Sequence, residues 1–540
     1  MRGFTPWPEE YAERYRAAGY WRDETLGGLL RQWAERSGDA VALVDGRPDG
    51  SRYSYAELNR LADARAQGLR ELGLRAGDRV VVQLPNVPEF AVTLFGLLRL
   101  GVVPVLALPA HRQLEIEHFV RLAEARAYVI PDRHEGFDYR GLAASVRAAV
   151  PELEHVLVAG EPGDFAPLPD AVPGRAPEPL DQPGPGDVAV LLISGGTTGK
   201  PKLIPRTHRD YAYNARASAE VCGLVAEDVY LACLPIAHNF PLACPGFLGA
   251  LGAGATTVLA PAPSPDVGLR LVERERVTVT ALVPPMARMW VEAAGWDTSD
   301  RSSLRLLQVG GAKLDQGLAE RVTPELGCGV QQVFGMAEGL LNYTRLDDPA
   351  DLVNGTQGRP LCPDDEIRVV DGETGADVPP GEVGELFTRG PYTLRGYFRA
   401  DAYNAGAFTP DGFYKTGDLV RRLPSGHLVV AGRSKEVINR GGENVSATML
   451  EDHLAEHPSI AQVAVFGLPD ESVGERVCAV VVLSAEADRP PKLKELRAFL
   501  ADRGLARFVT PDRLVVREKL PVTGVGKIDK RALAGSIEPA

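Results

Sequence analysis

The chain has 540 residues, of which 45% are hydrophobic and 24% are charged, and its formal net charge at pH 7 is −13. This composition is that of a globular protein and excludes the disordered and fibrous classes. Since one hydrophobic core stops growing at about 250–300 residues, the length predicts two or more domains. The acidic balance, without a basic run, predicts that the chain has no nucleic-acid partner.

The cysteines and the apolar segments indicate a cellular location. Six cysteines are spread along the chain without a CxxC pair, which indicates a reducing compartment. The N-terminus is aromatic and charged where a secretory signal needs an apolar core. No stretch offers the roughly 18 apolar residues that a membrane span requires. We therefore expect a cytoplasmic protein that does not bind membranes.

Short apolar runs bounded by Gly and Pro alternate with longer amphipathic stretches, which is the pattern of α/β layers with buried strands. These runs are residues 80–84, 102–108, 188–193, 277–283 and 304–309. Residues 167–186 are too rich in Pro and Gly for a helix or a central strand and predict a surface connection. The fold class that follows is α/β.

A change in composition at residues 432–436, GRSKE, predicts a boundary between a large and a small domain. Beyond it, AQVAVFGL and RVCAVVVL are typical of strands, and PKLKELRAFLADRGL is typical of a helix. We expect a large domain over residues 1–432, a hinge at 433–436 and a small domain over 437–540.

A candidate phosphate loop, SGGTTGKPK, follows the apolar run at residues 188–193. Its small and hydroxyl residues would let backbone amides approach an anion closely. They are Ser194, Gly195, Gly196, Thr197, Thr198 and Gly199. The loop is not a Walker A motif, which needs Gly at position 194 and Ser or Thr at position 201. Taken alone, the segment is either a phosphate loop or a plain Gly-rich turn.

SGGTTGKPK resembles the signature loop of adenylate-forming enzymes, which include acyl-CoA synthetases, luciferases and nonribosomal peptide adenylation domains. VFGMAEG, YKTGDL, GRSKEVINRGGENV and PVTGVGKIDK are similar to that family's other motifs and occur in the same order. Across its whole length the chain most resembles the stand-alone aryl-acid ligases of siderophore biosynthesis. The resemblance implies a large N-terminal domain of αβ layers with a distorted β-barrel, and a small, mobile C-terminal α+β lid.

The resemblance also implies how the chain uses ATP and Mg²⁺. The loop at residues 194–202 would hold the pyrophosphate portion, with Thr197 and Thr198 as hydroxyl donors and Lys202 as a cation. Glu338 matches the family's magnesium carboxylate, since a hard cation between phosphate oxygens requires oxygen ligands. Ala337, just before it, stands where a Thr is common elsewhere in the family.

The nucleotide's ribose is implied to lie against Asp418 in TGDL, whose carboxylate would accept from both ribose hydroxyls. Arg433 is implied as a second ribose contact and Arg440 as a phosphate contact. The other residues expected at the nucleotide are small or apolar: Gly311, Ala312, Val333, Gly335, Met336 and Ala337.

Two lysines are implied to separate two half-reactions. Lys527 in GVGKIDK matches the catalytic lysine that the family's lid supplies, and it would bridge the carboxylate and the α-phosphate. Lys435 in GRSKE stands at the hinge about which the lid would rotate, to admit the phosphopantetheine thiol of an aryl carrier protein.

The aryl pocket is expected around AHNFPLACPG, with Asn239 pairing with a hydroxyl ortho to the substrate's carboxylate. His238, placed among the catalytic residues, and Phe240 would form an aromatic wall and gate. The other residues expected in the pocket are small or apolar: Ala243, Cys244, Gly310, Gly311, Val333 and Leu341.

Four departures from the pattern of 2,3-dihydroxybenzoate enzymes, HNYPLSSPG and AEGLVNY, bear on the substrate. Phe240 replaces Tyr, Ala243 and Cys244 replace two serines, and Leu341 replaces Val. Each change removes a hydroxyl or adds a methylene, which favours salicylate or a substituted 2-hydroxybenzoate. The alternatives are a 2,3-dihydroxybenzoate-AMP ligase, an aryl-CoA ligase and, from another class, an inactive adenylate-binding sensor.

Overall fold

The computed structural model describes residues 1–170, 180, 182–194, 201–372, 374–434, 437–440, 443–470, 474–503, 505, 509–524 and 526–537. These residues form two compact units. The larger unit comprises Met1–Asn354, Gly358–Glu366 and Thr388–Tyr414, and the smaller comprises Gly355–Gln357, Ile367–Phe387 and Lys415–Ala540.

The larger unit is built on two mixed sheets, parallel in their interiors and with antiparallel strands at one edge or both. Its strands are β1 (Val41–Asp45), β2 (Arg52–Ser54), β3 (Arg79–Val82), β4 (Val103–Leu106), β5 (Ala127–Pro131), β6 (Arg133–His134), β7 (Phe137–Asp138), β8 (His155–Ala159), β9 (Ala166–Pro167), β10 (Val188–Ile193), β11 (Leu203–Thr207), β12 (Val229–Ala232), β13 (Thr256–Leu259), β14 (Val279–Leu282), β15 (Leu306–Gly310), β16 (Gly329–Met336), β17 (Gly339–Tyr343) and β18 (Arg359–Pro360). One sheet has the order β18-β17-β16-β15-β14-β12-β13-β1-β2, and another has the order β11-β10-β4-β3-β5-β8-β9. Strands β6 and β7 pair separately.

Helices connect and cover these sheets. They are α1 (Glu9–Ala17), α2 (Leu26–Ser37), α3 (Tyr55–Glu71), α4 (Pro88–Leu100), α5 (Gln113–Ala123), α6 (Tyr139–Ala149), α7 (His208–Val221), α8 (Asn239–Ala243), α9 (Gly246–Ala253), α10 (Pro265–Glu275), α11 (Pro284–Ala293), α12 (Gln316–Leu326), α13 (Ala350–Gly355) and α14 (Asp401–Ala407). No helix in the described part of the chain is long and apolar enough to cross a membrane.

The predicted apolar runs coincide with strands of the large unit. Each of the five runs contains one strand: β3, β4, β10, β14 or β15. Every residue of β4 and β14 is buried, as expected for parallel strands that are covered on both faces. The prediction of α/β layers is therefore confirmed. Of the Pro-rich segment predicted as a surface connection, residues 171–179 and 181 lie outside the described residues.

The smaller unit has its own sheets and helices. They are β19 (Glu366–Val370), β20 (Val383–Arg389), β21 (Tyr414–Arg422), β22 (Leu428–Arg433), β23 (Val437–Arg440), β24 (Glu443–Ser446), α15 (Ala447–Ala455), β25 (Ile460–Asp470), β26 (Gly474–Leu483), α16 (Leu493–Asp502), β27 (Arg513–Val516) and α17 (Lys530–Gly535). One sheet has the order β19-β20-β21-β22, and the other has the order β24-β23-β26-β25, with β27 beside β26. The strands and the helix that the sequence predicts after the boundary are β25, β26 and α16, so these three predictions are confirmed.

The predicted domain boundary at residue 432 stays a prediction, and in the structure the smaller unit also includes residues 415–432. Residues 415–433 form β21 and β22, which pair in one sheet with β19 and β20, and this sheet is grouped with the C-terminal residues. The proposed hinge at 433–436 follows β22 directly, and its residues 435 and 436 lie outside the described residues.

Candidate active site

The candidate phosphate loop is the connection between β10 and β11, which pair antiparallel. Its ends are closed by two hydrogen bonds of 2.9 Å, from Ser194 N to Lys202 O and from Lys202 N to Ser194 Oγ. The predicted phosphate-binding residues Gly195, Gly196, Thr197, Thr198 and Gly199 lie outside the described residues. The structure therefore fixes where the loop starts and ends, and the roles of its inner residues stay predictions.

Lys202 and Glu338, the predicted phosphate cation and magnesium carboxylate, meet at one cluster of tyrosines. Lys202 Nζ lies 3.9 Å from the ring centroid of Tyr403 and 5.5 Å from that of Tyr397. The Tyr397 hydroxyl donates to Glu338 Oε1 at 2.7 Å and lies 2.7 Å from the hydroxyl of Tyr414. Burial, followed by the negative charge of Glu338, raises the pKa of Tyr397, so this phenol stays protonated and can donate.

Glu338 lies in the tight connection between β16 and β17, whose shape requires glycine. Gly339 has φ +119°, and a Cβ there would lie 2.4 Å from the Cα of Thr393. The backbone of Glu338 is held as well, since its carbonyl accepts from Leu394 N at 2.7 Å. In the strands that flank this connection, Gly335 of β16 pairs with Leu341 of β17, which brings predicted nucleotide and aryl residues together.

The predicted aryl residues converge at the carboxyl end of β15. Gly310 pairs with Val333, and a Cβ on Gly310 would lie 3.0 Å from the ring of Phe240. Only glycine fits between them. Gly311 follows with φ +84°, and the exposed Ala312 comes next.

Helix α8 presents the polar side of the pocket. His238 precedes it, and its Nδ1 accepts from Phe240 N at 3.3 Å, so this imidazole caps the helix. Asn239 and Cys244 are 5% and 2% exposed, and Asn239 Nδ2 lies 3.4 Å from Cys244 Sγ. Burial raises the pKa of the Cys244 thiol to about 12. Ala243 is buried beside them.

A buried polar network behind this pocket is absent from the predictions. It contains Arg206, Asp210 and Asn214, which are spaced four residues apart, with Tyr211 beside them. The spacing of charged and amide residues at i, i+4 and i+8 was the signal that could have revealed it. The tyrosines around Lys202 carry no comparable local signal, because Tyr397 is 59 residues from Glu338.

Leu341, the predicted specificity residue, is anchored to a buried carboxyl. Its backbone N donates to the hydroxyl of Tyr392 at 3.1 Å, and that hydroxyl donates to Asp365 Oδ2 at 2.5 Å. Within the described residues, the other oxygen of Asp365 is buried without a hydrogen-bond partner. Burial raises the pKa of the Asp365 carboxyl to about 7.

In the smaller unit, Asp418 and Arg433 face each other across β21 and β22. Arg433 Nε lies 2.8 Å from Asp418 Oδ1, and the Asp418 side chain is 6% exposed. Arg440 forms an ion pair with Asp512 within this unit. The predicted pairing of Asp418 with Arg433 as neighbours in one site is compatible with this geometry, whereas Arg440 is engaged by a carboxylate.

Lys527 lies on a turn of the smaller unit. Thr523 N donates to Lys527 O at 2.6 Å, and Lys527 N donates to Thr523 Oγ1 at 3.2 Å. Val522 and Ile528 pair on either side of this turn. Lys527 therefore lies where the turn closes, beside the pair of Val522 and Ile528. Lys435, the predicted hinge residue, lies outside the described residues.

We predict that Asp365→Asn stabilises the protein above pH 7. Because the folded pKa of about 7 exceeds the unfolded value near 3.8, the folded carboxyl holds a proton that the unfolded chain releases. The free energy of unfolding should therefore fall as the pH rises from about 4 to about 7. Asp365→Asn should reduce this fall, with a gain at pH 8 of up to about 4 kcal/mol.

Urea unfolding at pH 5 and pH 8 measures this effect, and the neighbouring surface carboxyl offers a matched control. Asp364→Asn should leave the pH dependence nearly unchanged, since Asp364 is partly exposed in an ion pair with Arg14. Equal pH dependence in Asp365→Asn and the wild type would contradict the assignment.

Comparison with known proteins agrees with this geometry. The model of the AMP-binding enzyme family matches residues 30–398, and that of the AMP-binding enzyme C-terminal domain matches residues 449–527. The chain is 52% identical to a 2,3-dihydroxybenzoate-AMP ligase of Bacillus subtilis, over 99% of this chain and 98% of that protein. It is also 52% identical to a salicyl-AMP ligase / salicyl-S-ArCP synthetase of Mycobacterium tuberculosis, over 99% of this chain and 94% of that protein.

A solved structure shows the same fold. The apo structure of MbtA from Mycobacterium smegmatis is 53% identical, covers 99% of both chains and superposes with a TM-score of 0.77. The predicted adenylate-forming fold is thereby confirmed. On its family matches, its relatives and its fold, the chain belongs to the AMP-binding enzyme family.

Proposed function

We propose that this enzyme activates salicylate with ATP and transfers the salicyl group to the phosphopantetheine thiol of an aryl carrier protein. The observation that carries the choice of substrate is the contact of the Asn239 amide with the Cys244 thiol, 3.4 Å apart in a buried pocket. An amide beside an apolar, weakly hydrogen-bonding thiol suits a ring that bears one ortho hydroxyl and no second hydroxyl.

In the first half-reaction the carboxylate oxygen attacks the α-phosphorus of ATP, the new P–O bond forms, and pyrophosphate leaves. Both reactants are anions, so the site must supply cations and hydrogen-bond donors to the phosphate oxygens. Lys202 and the loop that it closes would hold the pyrophosphate portion. Asp418 would accept from the ribose hydroxyls, with Arg433 beside it, and Lys527 would join the carboxylate to the α-phosphate.

Glu338 would hold Mg²⁺ together with phosphate oxygens. Its half-buried carboxylate is oriented by the Tyr397 hydroxyl at 2.7 Å, and an oriented oxygen donor fits a hard divalent cation. Bound there, Mg²⁺ supplies positive charge to the phosphate oxygens.

In the second half-reaction the carrier's thiolate attacks the acyl carbon, the thioester bond forms, and AMP leaves with the electrons of the C–O bond. A carrier protein is supported by the name of the Mycobacterium tuberculosis relative, salicyl-S-ArCP synthetase. An aryl-CoA ligase would use the same chemistry with a free thiol, so single-turnover assays with both thiols separate the two. An inactive sensor would show no pyrophosphate exchange at all.

Sequence identity does not choose between salicylate and 2,3-dihydroxybenzoate, because the relatives named for each acid are both 52% identical to this chain. The pocket supports salicylate. Phe240, Cys244 and Leu341 are all buried and offer no hydroxyl to a 3-hydroxyl group. An apolar wall rejects an added hydroxyl only modestly, by about a hundredfold.

Salicylate is expected to give the highest kcat/KM in ATP–pyrophosphate exchange over a panel of benzoates. The kcat/KM for 2,3-dihydroxybenzoate should be lower by about ten- to a hundredfold. Benzoate should be poorer than salicylate, because it cannot pair with Asn239. A preference for 2,3-dihydroxybenzoate would contradict the assignment of this pocket to salicylate.

The double variant Cys244→Ser, Leu341→Val is expected to shift preference toward 2,3-dihydroxybenzoate. The first change restores a hydroxyl partner, and the second restores room at the same ring edge. The combined shift should exceed the sum of the single shifts, since contacting residues are not additive. If the ratio of kcat/KM for the two acids is unchanged in the double variant, selectivity arises elsewhere.

Lys527→Ala and Lys435→Pro are expected to fail in opposite half-reactions. Lys527→Ala should lower adenylation by about 10² to 10³, the scale for one lost transition-state contact, and should spare thioester formation from preformed salicyl-adenylate. Lys435→Pro fixes a backbone angle at the proposed hinge, so it should slow transfer and spare exchange. Equal loss of both activities in each variant would rule out a rotation between the steps.

A further inference from the structure

The network behind the aryl pocket starts from a group that can only donate. The Arg206 guanidinium donates to Asp210 Oδ1 at 2.7 Å, to Asn214 Oδ1 at 3.3 Å and to the carbonyl of Ala337 at 3.1 Å. Arg206 and Asp210 have no exposed side-chain surface. Since guanidinium has no acceptor, the oxygen of the Asn214 amide must face Arg206.

This orientation of the Asn214 amide decides which groups its nitrogen faces. The Asn214 Nδ2 group faces the carbonyl of Ala243 at 2.6 Å, and a carbonyl can only accept. The same nitrogen lies 3.9 Å from Cys244 Sγ, so the sulfur faces an N–H donor and acts as the acceptor. A sulfur in this position suits a further amide nitrogen, and Asn239 Nδ2 lies 3.4 Å from it.

The orientation of Asn239 follows from both of its ends. With Nδ2 turned to Cys244, Oδ1 faces Tyr211, whose hydroxyl donates to it at 2.8 Å. Tyr211 is fully buried, and burial raises its pKa well above the usual range, so the phenol keeps its proton. The Arg206 guanidinium lies 4.7 Å from the ring centroid of Tyr211, where its charge strengthens the phenol as a donor and weakens it as an acceptor, so the hydroxyl favours the amide oxygen over the amide nitrogen.

We propose that Tyr211 is a positioning residue that commits the Asn239 amide to donate an N–H toward the ortho substituent of the aryl acid. An amide nitrogen carries two hydrogens, and the Cys244 contact uses one of them. The site therefore selects an ortho group that can accept and opposes one that can only donate. This inference rests on the proposed function, since it concerns the acid that the enzyme activates.

The consequence is discrimination between 2-hydroxybenzoate and 2-aminobenzoate, which have nearly the same shape. The phenol of salicylate gives its hydrogen to the neighbouring carboxylate and keeps oxygen lone pairs that accept from Asn239. The nitrogen lone pair of 2-aminobenzoate is delocalised into the ring, so the amine would turn an N–H toward the N–H of Asn239. An opposed or unpaired buried donor lowers affinity by about ten- to a hundredfold.

Exchange kinetics with salicylate, 2-aminobenzoate and benzoate test the proposal in the whole enzyme. The wild type should prefer salicylate over 2-aminobenzoate by at least about tenfold, and 2-aminobenzoate should be no better than benzoate. In Tyr211→Phe the amide can turn over and offer its oxygen to the amine. The ratio of kcat/KM for salicylate over 2-aminobenzoate should then fall by about tenfold.

Tyr213→Phe is the matched control, because it removes another buried hydroxyl from the same helix without touching Asn239. This variant should keep the wild-type ratio, and the melting temperatures of both variants show whether each is folded. An unchanged ratio in folded Tyr211→Phe, or a wild type that uses both acids equally well, would overturn the inference. If Tyr211→Phe does not fold, the wild-type panel decides.

The same measurements distinguish this inference from the proposed function. Salicylate-dependent exchange in the wild type with an unchanged ratio in Tyr211→Phe would overturn only the role of Tyr211. A wild type without salicylate-dependent exchange would overturn the proposed function, and the inference with it.

Discussion

Arg206 and Asp210 form an ion pair at the start of helix α7, and neither side chain has any exposed surface. Removing such ions from water costs several kcal/mol each, and this cost is offset only when their remaining donors and acceptors are satisfied. The guanidinium therefore needs Asn214 and the Ala337 carbonyl, and Asp210 needs Thr207, whose N and Oγ1 each lie 2.7 Å from Oδ2. These partners come from β11, α7 and the β16–β17 connection, so satisfying the pair holds three walls of the site in register.

The tyrosine cluster meets a different electrostatic demand. On the proposed function, a cation and an anion, Lys202 and Glu338, would both be presented to a nucleotide. Aromatic rings are negative on their faces, which suits the ammonium group, whereas a phenol hydroxyl donates, which suits the carboxylate. Tyr397 does both, with its ring 5.5 Å from Lys202 Nζ and its hydroxyl 2.7 Å from Glu338 Oε1. One uncharged side chain thus orients groups of opposite sign.

The sequence was sufficient for the buried strands, because continuous apolar runs leave few other structures. The aryl residues, which were chosen from motifs in α8 and β17, stay predictions, although the structure brings several of them together. It did not reveal Tyr211, whose role depends on a contact with Asn239, 28 residues away. Nor did composition indicate that residues 414–433 form one sheet with β19 and β20, which stand earlier in the chain. Local sequence patterns predict the helices and strands. Contacts between residues that are distant in sequence, and the hydrogen bonds that buried polar groups require, decide which side chains meet.

The buried thiol of Cys244 bears on chemical self-protection. An acyl-adenylate is a mixed anhydride that acylates thiolates, and Cys244 is among the residues proposed to line the pocket where it would form. With its pKa raised to about 12 by burial, only about one Cys244 in 10⁵ is ionised at pH 7. The other cysteines are also free and buried. On the proposed function, the activated acid would lie beside a cysteine that is nearly inert as a nucleophile, and the acyl group would be left for a thiol delivered from outside.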